Sequence, residues 1–144
     1  MKVTIQEAFN GFTDIAKLTA ADITAIGTTN QRTIAIVPPG GVVTACGVFE
    51  AVDFAGTSTN LTLDVGVTAA DPDDFIDALD LDGLTKAAFN TGDVLINSGT
   101  GWYVNNTASA VNVLAEPTFT GTVTAGEWYI GVKIIDLGLL GSNA

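Results

Sequence analysis

Leu61-Thr62-Leu63-Asp64-Val65-Gly66-Val67-Thr68 decides the fold class of this 144-residue chain. Leu61, Leu63, Val65 and Val67 fall on one side of an extended backbone, and Thr62, Asp64, Gly66 and Thr68 on the other. Side chains of a strand point alternately to its two faces, so this period of two marks a strand with one apolar and one polar face. The chain around it reads as further strands that cover the apolar face.

Working outward, Thr33 to Val37 is a short β-branched run, with Ile34 and Ile36 on one face, stopped by Pro38-Pro39-Gly40-Gly41. Val42 to Phe54 is the next extended run. Val43, Ala45, Gly47, Phe49 and Ala51 share one of its faces, and Glu50 and Asp53 mark the outside. On the other side of Leu61–Thr68, Ala69 to Asp82 is the most acidic stretch. There Asp71 caps a short helix with Pro72 in its first turn; Phe75, Ile76 and Leu79 pack inward and Gly83 ends it. Trp102-Tyr103-Val104 is a short aromatic strand. Val111, Val113 and Ala115 alternate, and Pro117 implies an edge or a bulge. Thr118 to Thr124 and Glu127 to Leu137 alternate on either side of Ala125-Gly126, the pattern of a hairpin. Phe12 to Leu18 reads equally well as helix or strand. Thr19 to Gln31 is small and polar, with a turn at Gly27-Thr28-Thr29-Asn30, and Lys86 to Gly101 gives no clear pattern. The sum, about seven to nine short strands at near-regular spacing, predicts an all-β sandwich or barrel. We expect one domain over residues 1–144, with an N-terminal arm at 1–11 and a C-terminal tail at 138–144.

Composition narrows the function. Sixteen acidic and five basic residues leave a net charge of −11. That argues against a nucleic-acid binder, which needs clustered Lys and Arg, and disfavours an anionic membrane surface. No apolar run approaches the roughly 18 residues of a membrane span. Gln6 and Glu7 interrupt any signal-peptide core, so the expectation is synthesis in the cytosol without standard secretion. Hydrophobic residues make up 47% and charged residues 15%, against a usual charged share of about 25%. Such a surface suits an assembly contact.

Candidate chemistry is sparse. The chain has no histidine and one cysteine, so Ser-His and Cys-His arrangements are excluded. Cys46 lies in an apolar run and reads as a buried, inert thiol. Asp77, Asp80 and Asp82 before Gly83 suggest a calcium loop. With Asp80 and Asp82 as third and fifth ligands, however, the first position is Ala78 and the twelfth Phe89, and the pattern fails at both ends. Asp73 and Asp74 are adjacent on a turn, which does not fix the geometry of a glycosidase pair. Trp102, Tyr103, Trp128 and Tyr129 could form a sugar platform, but read better as core or interface aromatics. No metal or cofactor is expected, and no enzyme.

The order of segments resembles small virion proteins of tailed bacteriophages, of the capsid decoration or cement type. The likeness runs through Phe12-Thr13-Asp14-Ile15, Ile36-Val37-Pro38-Pro39-Gly40-Gly41-Val42-Val43, Phe54-Ala55-Gly56, Leu61-Thr62-Leu63-Asp64-Val65-Gly66, the acidic insert Asp71 to Ala78, and the closing stretch from Gly121 to Gly131. The resemblance implies a jelly-roll-like β-sandwich of about eight strands with a short helical, acidic loop insertion. It further implies a protein made in the host cytoplasm that sits on the capsid surface of the virion, binds the major capsid protein, forms a homotrimer and has no catalytic residues. The competing reading is a tail-fibre or carbohydrate- or receptor-binding module, motivated by the paired aromatics.

The final strand predicts where subunits meet. Trp128, Ile130, Val132 and Ile134 occupy one face; Tyr129, Gly131, Lys133 and Ile135 occupy the other, and only Lys133 is charged. A strand apolar on both faces is covered on both. The core is one cover, and a loop or a second subunit the other. Tyr129 and Ile135 are therefore the expected interface residues.

Overall fold

The computed structural model describes residues 10–84, 89–90 and 102–137. The arm before residue 10, the tail at 138–144 and most of the stretch from Lys86 to Gly101 lie outside the described residues. The elements are β1 (Asp14–Thr19), α1 (Ala20–Ile26), β2 (Arg32–Val37), β3 (Gly41–Gly56), β4 (Thr62–Gly66), β5 (Ile76–Asp80), β6 (Phe89–Asn90), β7 (Tyr103–Val104), β8 (Val111–Thr118) and β9 (Val123–Asp136). One sheet runs β1-β9-β3, with β6 and β7 sharing the far edge of β3; the other runs β2-β8-β4-β5. All pairings are antiparallel. The early strands alternate between sheets and the last strand lies beside the first, so the sandwich is a jelly roll with eight strand positions.

The stretch that set the fold class behaves as its alternation requires. Leu61, Leu63 and Val65 are wholly buried, while Thr62 and Asp64 are half-exposed. They share one core cluster with Val113 and Ala115 of β8 and, from the facing sheet, Leu18, Val43, Val48, Ile130 and Trp128. Pro117 pairs with Leu63 of β4, beyond the point where β2 ends its pairing with β8 at Arg32 and Ala115. Proline is thus tolerated where the ladder has become locally an edge.

Four expectations are corrected. The acidic stretch is not helical: Ile76–Asp80 is the edge strand β5. Asp74 instead folds the connection, accepting hydrogen bonds from the backbone of Val67 (2.7 Å) and Thr68 (2.9 Å). Phe75 and Ile76 are buried as expected, and Leu79 is half-buried. The helix lies at Ala20–Ile26, started by a reciprocal capping box in which Thr19 and Asp22 each bond the other's backbone amide.

Ala125-Gly126 is not a turn. Both residues lie inside β9, and β8 and β9 belong to different sheets. Gly126 has φ 144°, and a Cβ there would collide with the Trp128 ring, so the glycine makes room for an indole. In β3 the ladder slips between Val43 and Ala45. This bulge at Thr44 shifts the inward set to Val43, Cys46 and Val48. Glu50, expected outside, is buried and bonds Trp128.

Candidate interaction surface

The groups read as possible chemistry turn out to hold the fold. Burial pushes the Cys46 thiol up to about 12. Asp80 accepts from the backbone amides of Asp82 and Gly83, both at 3.1 Å, and Asp82 accepts from that of Leu61 at 3.2 Å. The Asp82 carboxyl is raised above the usual range, chiefly by its hydrogen bond with Asp80. Among the described residues no three Cys, Asp or Glu side chains group as a metal site. Asn105 is fully buried. Its Nδ2 donates to the carbonyls of Val37 (3.0 Å) and Ser109 (2.9 Å), and its Oδ1 accepts from Thr107. Asn60 Oδ1 accepts from the backbone and hydroxyl of Thr120.

What remains is a surface. Val104, Val42 and Ile135 lie in register across β7, β3 and β9. Val43 and Ile134, their neighbours in sequence, face the core, so this row faces away from it. Trp102, Thr44 and Leu137 extend the row into an apolar groove of about 370 Å³. Trp102 is 56% exposed, Val104 50%, Leu137 47% and Ile135 44%. Apolar side chains clustered on the outside of a sheet mark a contact surface more than scattered ones do. The hydroxyl of Thr44, at the bulge, is buried with no hydrogen-bond partner among the described residues.

The two expected interface residues part company here. Ile135 belongs to the groove. Tyr129 lies six residues back on the same face, about 20 Å away at the rise of a strand, inside a polar cluster. Its hydroxyl donates to Glu127 Oε1 at 2.8 Å, Lys17 Nζ sits 3.1 Å from Glu127 Oε2, and the ammonium lies 5.8 Å from the Tyr129 ring centre. The Tyr129 hydrogen bond, and then Lys17, hold the Glu127 carboxyl below the usual range. Phe49, opposite Tyr129 and outside the core cluster, is only 3% exposed. The chain itself therefore covers the middle of this face, and the apolar end at Ile135 is what stays open.

The aromatics do not form one platform. Trp128 is wholly buried, Trp102 is exposed, and Tyr103 meets Phe75 edge-to-face at 5.8 Å. Sequence reasoning named Ile135 but missed its companions. Val42, Val104 and Trp102 come from segments remote in sequence, and only strand register brings them together.

No protein-family model and no curated protein matches the chain. Among solved structures it is similar to a chain of the cyanophage Pam1 capsid asymmetric unit, with a TM-score of 0.56 and 19% sequence identity over 83% of this chain and 79% of that one. The likeness is one of fold. No described helix is long and apolar enough to cross a membrane.

Proposed function

We propose that this chain is a bacteriophage capsid decoration protein, which binds the major capsid protein on the assembled head and stabilises contacts between capsid subunits. The observation that carries the reading is the jelly roll it shares with a chain of a cyanophage capsid asymmetric unit. The sequence resemblance and the open apolar groove support it. The protein acts as a homotrimer on the virion surface, with no enzymatic step. Each protomer makes modest contacts, and linking them in one trimer raises the effective concentration of the remaining contacts once the first has formed. Cosedimentation with capsid shells lacking the protein tests this: saturable binding is expected, and the absence of binding at micromolar protein overturns it.

The exposure of Trp102 favours a second reading, a receptor- or carbohydrate-binding module of a tail fibre. Trp128 is buried, so a glycan that quenches the protein's fluorescence would do so through Trp102. A silent glycan array and an unchanged emission remove this reading.

A further inference from the structure

We infer that Asn10-Gly11 is a site of spontaneous covalent modification, where the Asn10 amide closes on the following backbone nitrogen and hydrolyses to aspartate and iso-aspartate. The inference is independent of the capsid reading, because it rests only on the turn that leads into β1.

The peptide nitrogen after such an asparagine must be free of a hydrogen bond and uncrowded by a side chain of its own. It must also lie in backbone that no ladder fixes, so that it can reach the side-chain amide carbon. Asn10 and Gly11 are both exposed and lie in a turn ahead of β1, where backbone is freest to move. Gly11 has φ 85°, in the left-handed region that glycine enters readily. A Cβ built on it meets nothing within 4 Å, so the space around it is open. Neither the Gly11 N–H nor the Asn10 side chain bonds another described residue.

Elsewhere the fold ties that nitrogen down. Among the described residues the other acid- or amide-glycine pair is Asp82-Gly83, and there the Gly83 N–H donates to Asp80 Oδ1 at 3.1 Å. After Asn60, the Leu61 N–H donates to Asp82 Oδ2 at 3.2 Å. After Asn105 and Asn106, the N–H groups donate to the Val104 carbonyl and to Asn105 Oδ1, each at 3.1 Å. After Asn112, Val113 is a wholly buried, β-branched residue of β8.

The reaction balances with water alone. The Gly11 nitrogen gives its proton to solvent and attacks the side-chain carbon of Asn10. The new C–N bond closes a succinimide ring, and the side-chain nitrogen takes up a proton and leaves as ammonia. Water then opens the ring. Breaking the bond to the side-chain carbonyl leaves aspartate; breaking the bond to the backbone carbonyl routes the chain through the side chain as iso-aspartate. Nothing is oxidised or reduced. Either product adds a negative charge ahead of β1, and the iso form lengthens the backbone there by a carbon.

Peptide mapping by mass spectrometry, with a readout that separates aspartate from iso-aspartate, tests this on the full chain at neutral pH beside the same chain unfolded in guanidinium chloride. In the folded chain Asn10 is expected to be lost to the two acid forms about as fast as in the unfolded one, whereas Asp82 isomerises only in the unfolded one. Gly11→Ala should slow the conversion severalfold by crowding the attacking nitrogen, and Asn10→Gln should abolish it; melting curves confirm that both variants fold. An Asn10 that stays an amide in the folded chain overturns the inference, whatever the unfolded chain does. Equal isomerisation of Asp82 in the two chains overturns the argument that a bonded nitrogen is what protects the other sites.

Discussion

Trp128 Nε1 donates a 2.8 Å hydrogen bond to Glu50 Oε2, and the two residues stand directly opposite each other on β9 and β3. Both are buried. The bond gives the largest core side chain a fixed orientation and gives a buried carboxylate a donor; the absence of a Cβ at Gly126 leaves space for the ring. Trp128→Phe removes that donor and part of the core volume together. We expect a loss of about 3 kcal/mol or more in urea unfolding. Glu50→Gln, which keeps an acceptor, should cost less.

Phe75 is wholly buried between the acidic connection and Tyr103. Phe75→Ala should cost about 3 kcal/mol or more. An unchanged melting temperature would show that the connection contributes nothing to the core.

Thr44→Val should stabilise the protein by about 1 kcal/mol, because a buried hydroxyl without a partner is replaced by a methyl group of similar shape. A thermal melt of the two proteins side by side decides it; a lower midpoint for the variant would reveal a partner for the hydroxyl.

Two carboxylates should respond to pH with opposite sign. Burial, partly offset by the Ala78 amide and reinforced by Asp77, Asp71 and Glu116, raises Asp64 above its ordinary 3.8. Glu116 lies directly opposite it on β8. The charged form is the one the fold disfavours, so the penalty is complete above the folded value and gone below 3.8. Asp64→Asn should therefore raise the melting temperature at pH 7, and its advantage should vanish below about pH 4. Asp22 is held down to about 2, first by Arg32 and then by the Thr19 amide. Its contribution is present above 3.8 and is lost as pH falls through about 2. Asp22→Asn should accordingly destabilise at pH 7 and lose its effect under strong acid.

How much of this was legible in sequence depended on whether backbone geometry stayed regular. Leu61 to Val65 alternates without interruption because β4 runs straight, and its burial follows the pattern residue by residue. The Val42 to Phe54 run is as apolar, but a single bulge at Thr44 exchanges its faces, and nothing in the residue types announces a bulge. Ala125-Gly126 reads as a turn because glycine permits one; the use of Gly126 here, clearance for the Trp128 ring, is a tertiary fact. The seven-residue helix at Ala20–Ile26 is too short for a periodic signal. Its Thr19-x-x-Asp22 cap, with Ile23 and Ile26 following, was the available clue. Of the groove's lining, Ile135 is the residue that the doubly apolar final strand makes legible. Tyr129 was selected by the same argument, but its hydroxyl draws it into the Lys17–Glu127 cluster, a pairing set by the register of β1 on β9.

The decoration role is tested most directly by the number of copies of this protein in purified virions, measured by quantitative mass spectrometry against the major capsid protein. The account predicts a copy number on the scale of the capsid lattice, a fixed fraction of the capsid subunits. A protein absent from the particle, or present in only a handful of copies, would contradict it.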